Sequence, residues 1–390
     1  MRVLDITSAF SSSCGGIKRY YREKARALPR RGVDCHFVVP GETRGDEPFG
    51  GGTLHRLPGP PMPGNPAYRL FGLHAGLGDL IRALAPDVIE IASHYVLPAL
   101  TLCAARRMPR RPRVVGFFHS HPRQVVENVA HALPGASGDA LAEVMWRFLV
   151  RQHSRYDATL VASPSVSREL TRRGCPHVHL VGLGVDTAVF APDARPPERA
   201  GAPVVTYSGR FTVDKELPLL LDAFDRVHLR TGALLLLVGD GPLRGRLEEH
   251  ARAHAAVTVR PYLDASTDVA RVLAGSDVVV VPSRTETFSL STVEAIAAGS
   301  LVVGPDEGAV ADLIRDTGAG RCFRAGDADS LAAALVDVLS LDAAARRAQC
   351  LAGRARVLDR YTWDAVMARI HAVYLDAAEA APRAVAWRGV

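Results

Sequence analysis

The sequence predicts an α/β protein of two domains, each built on a parallel sheet covered by helices. Three observations carry that expectation. Short apolar runs such as 278–281 and 234–238 have the length and composition of strands buried on both faces. Such runs alternate with helix-period segments, the βαβ rhythm that lays parallel strands side by side. At 390 residues the chain exceeds one ordinary core, and the Pro/Arg-rich stretch 192–203 offers a boundary.

Composition narrows the class. Hydrophobic residues make up 48% and charged residues 23%, the balance of a globular chain. No apolar run reaches the ~18 residues of a membrane span. The opening MRVLDITSAF reads as a strand, without a signal peptide's basic head and cleavage site. Six cysteines are scattered without metal-type pairs in a chain too large to need disulfide staples, which implies a reducing cytoplasm. The net charge of +6 is uneven, because residues 1–183 carry 24 basic and 14 acidic side chains while 184–390 carry 23 and 27. Only Lys18, Lys24 and Lys215 are lysines among 47 basic residues, so each marks a position worth questioning.

In the N-terminal half, a strand at 3–6 leads through the loop 11–16, SSSCGG, to a helix over 17–29. Gly15 and Gly16 let the backbone approach a phosphate at the helix start, although a glycine pair before a helix is most often only a turn. The absence of GxGxxG argues against a dinucleotide dehydrogenase. This helix carries Lys18, Arg19, Arg22, Lys24, Arg26, Arg30 and Arg31 against Glu23 alone. A basic amphipathic helix can lie on an anionic membrane or meet an acidic acceptor, but such a face is more often simply solvated. Arg106, Arg107, Arg110, Arg111 and Arg113 form a second basic cluster, and no nucleic-acid motif accompanies either. Strands follow at 35–39, 88–91, 114–118, 158–162 and 177–181, with helices at 70–84, 96–107, 145–156 and 166–173 and a Gly/Pro-rich excursion over 41–66. His94, and His119 with His121, fall at carboxyl ends of strands, the edge of a parallel sheet where ligands bind.

In the C-terminal half, a strand at 204–207 ends in Ser208-Gly209-Arg210, with Lys215 just before a helix over 217–229. Arg210 and Lys215 can converge on a diphosphate, one as a planar fork and the other as a point charge; the plainer alternative pairs Lys215 with a neighbouring acid. The strand 234–238 ends at Gly239-Asp240-Gly241-Pro242. The exit of strand 257–260 carries Tyr262 and Leu263 close to where a base would lie. The stretch 277–304 reads as strand, loop, helix and strand, with Glu286 in the loop and Glu294 in the helix's first turn. Those carboxylates can hold sugar hydroxyls beside a helix N-terminus that favours an anion. Ser291 and Glu294 equally fit a capping box, and Glu286 a solvated loop acid. Helices at 266–274, from 310, 328–340 and 342–358, a short strand at 320–323 and a terminal helix to about 378 complete the chain.

With Gly15-Gly16, His119, Gly184-Val185-Asp186, Gly209-Arg210, Lys215, Gly239 to Pro242 and Glu286 to Glu294 in this order, the chain resembles the family 4 retaining glycosyltransferases of GT-B fold over about 1–375. Stretches around PGNPAYR, FFHSHPR and ASPSVSREL look most like bacterial enzymes that use GDP-mannose. The resemblance implies two Rossmann-like domains with parallel sheets facing across a cleft: 1–183 on the acceptor side, a linker over 184–203, 204–360 holding the nucleotide sugar, and 361–380 crossing back. It implies that Arg210 and Lys215 neutralise the leaving diphosphate, that Glu294 holds the ribose hydroxyls and that Glu286 touches the transferred hexose. His119 lies near the reacting carbon, and Gly15 and Gly16 bring backbone N–H groups to the diphosphate. Gly209, Gly239, Tyr262, Leu263, Phe288, Ser289 and Leu290 complete the donor-binding set. Thr287 and Ser289 flank Phe288 where the family usually has glycine, which would narrow the sugar pocket.

The implied reaction needs no cofactor and no metal, and no DxD-like pair sits in a suitable loop. The acceptor hydroxyl attacks on the leaving-group face, and a phosphate oxygen takes its proton. The expected partners are a nucleotide sugar, GDP-mannose favoured, and a glycan or lipid-linked acceptor, with peripheral contact at an anionic membrane and no nucleic acid. UDP-glucose or UDP-GlcNAc as donor, a nucleotide-sugar epimerase of the same fold, and a non-catalytic sugar-nucleotide-binding protein are the rival readings.

Overall fold

The computed structural model describes residues 1–10, 15–62, 65–71, 76–94, 96–123, 126, 138–194 and 201–380. Residues 11–14 of the glycine loop and the tail from 381 lie outside the described residues. The strands are β1 (Arg2–Ile6), β2 (Asp34–Gly41), β3 (Gly45–Phe49), β4 (Gly52–Pro58), β5 (Pro61–Met62), β6 (Asn65–Arg69), β7 (Val88–Ile91), β8 (Arg113–Phe118), β9 (Ala158–Val161), β10 (Val178–Leu180), β11 (Val204–Ser208), β12 (Leu234–Val238), β13 (Val257–Arg260), β14 (Val278–Val280), β15 (Leu301–Pro305) and β16 (Gly320–Phe323). One sheet runs β10-β9-β8-β7-β1-β2-β4-β3 and is parallel except for the β3–β4 pair. A second, all-parallel sheet runs β13-β12-β11-β14-β15-β16. Val278, Val279, Val280, Leu301, Val302 and Val303 are fully buried, which is why these strands read as unbroken apolar runs.

Each sheet reverses its winding once. β1 lies between β2 and β7, and β11 lies between β12 and β14. The crevice beyond the carboxyl ends of such a pair is where open α/β sheets bind ligands. In the second sheet that crevice receives the loop after β11, with Arg210 and Lys215, and the loop after β14, with Glu286.

Several elements differ from the sequence expectation. The stretch 41–66 contains a hairpin, β3 and β4, that extends the first sheet, and its Gly50-Gly51 turn had masked the strands. Gly50 takes a left-handed backbone at φ 59° in that turn. Described helix in 70–84 is confined to Leu77–Leu84, while the helix expected at 145–156 spans Gly138–His153. Gly15 and Gly16 form the first turn of the helix Gly15–Ala27 and are not loop. The linker is pinned at its start: Val185 pairs with Thr362, and its N–H donates to the Tyr361 carbonyl at 2.8 Å. A Cβ on Gly184 would sit 2.5 Å from the Trp363 ring, so only glycine fits there. The following helix, Trp363–Glu379, packs on the first sheet: Tyr374 donates to Glu90 on β7, and Arg369 to the Val181 carbonyl at 2.8 Å.

The basic-face expectation for the first helix fails at Lys24. Its side chain is 1% exposed and is paired with Asp5 of β1 and, at 2.9 Å, with Glu90 of β7. Tyr21 donates to Asp5 at 2.6 Å and Tyr20 to Glu90 at 3.0 Å. Burial works against the ammonium charge, but the two carboxylates outweigh it and raise the Lys24 pKa. The Arg106–Arg113 cluster is likewise partly committed, Arg113 to Asp157 at 3.7 Å and Arg110 to Asp87 at 3.4 Å.

Removing one partner of a buried ion pair leaves uncompensated charge, so Lys24→Met is expected to destabilise the chain by about 3–5 kcal/mol. Lys18→Met, on a partly exposed position, should stay within about 0.5 kcal/mol. Urea unfolding of the two variants measures both.

Candidate functional site

The back wall of the site is two interlocked turns. Gly209 N–H donates to the Val238 carbonyl at 3.0 Å, Phe211 N–H to the Asp240 carbonyl at 2.7 Å, and Leu243 N–H to the Phe211 carbonyl at 3.0 Å. A Cβ on Gly239 would lie 1.8 Å from the Gly209 carbonyl oxygen, so Gly239 serves this close approach of two backbones. Phe211 is fully buried, and the Tyr207 hydroxyl donates to the Arg210 carbonyl at 2.7 Å. Pinned on both sides, Arg210 is presented outward and is itself exposed. Among the described residues no carboxylate pairs with its guanidinium.

Lys215 comes from the short 3-10 turn Val213–Lys215. Glu216 next to it takes a left-handed backbone at φ 50°, a conformation of order 1–3 kcal/mol uphill for a non-glycine residue. That kink turns Lys215 inward before the helix Leu217–Thr231 begins. Its ammonium is held by Glu286 at 2.7 Å and Asp214 at 3.0 Å, in a side chain only 10% exposed. Burial opposes its charge, yet Glu286 and Asp214 prevail and raise its pKa, while the nearby Arg210 charge lowers it slightly. The salt bridge named as the plainer alternative therefore exists, and one of its partners is the sequence-selected Glu286.

The capping-box alternative for Glu294 does not hold. The helix is Leu290–Ala297, its N-cap is Ser289, and no side chain caps it. Glu294 instead forms an ion pair with Arg19 of the first helix, and Arg19 also donates to Ser266 at 2.9 Å. Burial raises the Glu294 pKa and Arg19 opposes that rise. Ser289 sits at φ 78°, the left-handed position where glycine is favoured. Its hydroxyl is buried against Thr292 at 2.8 Å, while Thr287 donates to the His119 carbonyl at 3.1 Å. Both hydroxyls that replace the expected glycines are thus engaged by protein. Phe288 is 2% exposed with its ring against Tyr361, so only its backbone can face a ligand. Tyr262 is 53% exposed beyond β13, Leu263 is half-buried, and Leu290 would lie 3.6 Å from a Cβ on Gly16.

His119 follows β8 and stacks on His94, which follows β7, at 5.4 Å between ring centroids. Burial lowers the His119 pKa, so the ring is neutral at neutral pH. Sequence reasoning placed His94 at the ligand edge but missed His153, whose ring lies 6.2 Å from His94. Burial and the His119 charge push His153 down to about 3. The roles of Arg19 and Thr287 were also missed, although the i,i+3 spacing of Gly16 and Arg19 puts both on one helix face.

Between the two sheets lies a cavity of about 540 Å³, lined by His121, Arg123, Trp146, Glu169 and Arg173 on one side and by Arg284, Glu286 and Glu307 on the other. Arg168 bridges to Asp312 at 3.0 Å beside it. No described helix is long and apolar enough to cross a membrane.

Residues 14–189 match the family described as Glycosyltransferase Family 4, and residues 202–341 the family described as Glycosyl transferases group 1. A GDP-mannose-dependent alpha-mannosyltransferase of Mycolicibacterium smegmatis is 29% identical over 389 residues, covering 94% of this chain and 95% of that protein. A GDP-mannose-dependent alpha-(1-6)-phosphatidylinositol dimannoside mannosyltransferase of Mycobacterium tuberculosis is 26% identical, covering 93% of each. Sucrose-phosphate synthase from Thermosynechococcus elongatus has a like fold, with TM-score 0.76 at 21% identity over 96% of this chain and 98% of that one. An Anabaena protein solved with UDP and glucose gives 0.72 at 16% identity, over 96% and 100%. The chain therefore belongs to the glycosyltransferases of GT-B fold, with a family 4 domain in its first half and a group 1 domain in its second.

Proposed function

We propose that this glycosyltransferase moves mannose from GDP-mannose to a hydroxyl of a glycan or lipid-linked glycan, retaining the anomeric configuration and using no metal. The observation that carries the reading is the convergence of Arg210, Lys215 and Glu286 at the winding reversal of the second sheet, beside the cavity that His121 and Trp146 line from the other domain. The relatives' dependence on GDP-mannose supports the choice of donor.

In this reading the exposed Arg210 guanidinium grips the diphosphate as a fork. An ammonium has three N–H donors. Asp214 and Glu286 take two from Lys215, which leaves the third for a phosphate oxygen. Negative charge grows on the diphosphate as the sugar–oxygen bond breaks, and fixed cations stabilise that state without a metal. Glu286, already held by Lys215, accepts hydroxyl hydrogens of the mannose, and Glu294 those of the ribose. Gly15 and Gly16, at a helix N-terminus with no acidic residue in its first turn, offer N–H groups to the diphosphate. His119 stands near the reacting carbon. The neutral imidazole does not repel the oxocarbenium-like sugar, and an acceptor hydroxyl attacks on the departing face and passes its proton to a phosphate oxygen.

The acceptor enters from the cavity, whose carboxylates and guanidiniums suit a hydroxyl-rich molecule. Arg22, Arg26 and Arg30 stay exposed on and just after the first helix. They offer cations to anionic lipid on the cytoplasmic membrane face when that acceptor is lipid-linked.

Arg210→Ala should fold normally, since its side chain is exposed. It should lower kcat by about 10²-fold or more, the usual loss when one such electrostatic donor is removed. With Lys215→Ala added, transfer and donor hydrolysis should both vanish, and full activity of the double variant would contradict the mechanism. Chelation by EDTA should leave the transfer rate unchanged. Loss of activity restored by Mg²⁺ or Mn²⁺ would show that a metal takes part.

A further inference from the structure

Arg19 is the one cation among the described residues that pairs with Glu294, and it arrives from the other domain. Three contacts fix its guanidinium: the Glu294 carboxylate, the Ser266 hydroxyl at 2.9 Å, and the ring of Phe190, 5.7 Å away, in the first half of the linker. The pair uses Oε1 of Glu294, and among the described residues nothing donates to Oε2. A carboxylate has about four lone-pair sites, so Arg19 and ribose hydroxyls can share it.

The other charges around the helix Leu290–Ala297 are already committed. Asp268 and Arg271 pair with each other at 2.6 Å, Asp312 binds Arg168, and Asp316 binds Arg360 at 2.9 Å. Arg354 donates to the Ala297 carbonyl at the helix's far end. Glu23, one turn beyond Arg19, is half-buried and feels the Arg19 charge, though Arg26 acts on it more strongly. Burial makes a lone carboxylate at the Glu294 position costly, and a neutral carboxyl accepts ribose hydroxyls less well.

We infer that Arg19 is a positioning residue for the donor: reaching across from the first domain, it keeps the Glu294 carboxylate charged and aimed, so that ribose recognition depends on contact between the domains. This rests on the reading of Glu294 as the ribose ligand. The same edge carries the Thr287–His119 bond and the approach of Leu290 to Gly16, so the contact that sets Arg19 also sets the glycine turn. Donor binding and domain contact are then linked, each favouring the other.

The test is calorimetric titration with GDP, or with UDP if the base is uracil, each against its 2′,3′-dideoxy form. Arg19→Met should weaken binding of the ribonucleotide at pH 7 by about tenfold, the scale of one charge-assisted hydrogen bond, and leave the dideoxy form unchanged. Arg19→Lys should restore most of the loss. Without its cation the buried carboxyl ionises only at higher pH, so Arg19→Met should regain ribonucleotide affinity as pH rises, whereas the wild type should not. Glu294→Gln should erase the preference for the ribonucleotide. If that preference survives in Glu294→Gln, the ribose reading is wrong and the inference falls with it. If Glu294→Gln erases it but Arg19→Met binds like wild type, or loses both nucleotides equally, the role of Arg19 alone is overturned.

Discussion

A buried ammonium held between two carboxylates organises the ligand edge of the second sheet. Burial works against the Lys215 charge, and Glu286 and Asp214 hold it in place. The arrangement spans the winding reversal of the second sheet, because Asp214 and Lys215 follow β11 and Glu286 follows β14. Ser283 reinforces it by donating to the Asp214 carbonyl at 2.7 Å. Two strand ends are thereby tied by charge as well as by the sheet.

Among the described residues, polar contacts join the two domains at the cleft. Arg19 with Glu294, Thr287 with His119 and Arg168 with Asp312 all join side chains or backbone groups across it. Such contacts are weak singly and reversible, which suits a cleft that must admit a donor and release a nucleotide. The chain's buried crossing lies elsewhere. At that crossing Gly184 packs on Trp363 and Tyr374 reaches the Lys24 cluster, both buried.

Much of this was legible in the sequence because parallel sheets write themselves as apolar runs. Val278 to Val280 and Leu234 to Val238 are strands for the same reason that they were readable. Arg210, Lys215 and Glu286 could be singled out because they follow strand ends, where chemistry and position coincide, whereas Glu294 lies within the helix Leu290–Ala297. Buried charge was not readable. Lys24 shares its helix face with Tyr20, Tyr21 and Leu28, but its charge hid that placement; Asp5 and Glu90, on two distant strands, are what make it a core residue. The same holds for Arg19, whose partner is 275 positions away. The β3–β4 hairpin was lost for a different reason: β3 is exposed and lacks the apolar pattern, and the glycine turn hid the rest.

The central claim is that a sugar diphosphate completes the Lys215 cluster without dismantling it. A crystal structure of the chain soaked with the nucleotide sugar tests this most directly. The account predicts diphosphate oxygens within hydrogen-bonding distance of both the Lys215 ammonium and the Arg210 guanidinium, with Asp214 and Glu286 still bound to the ammonium. A diphosphate seated elsewhere in the cleft, out of reach of either cation, would contradict it.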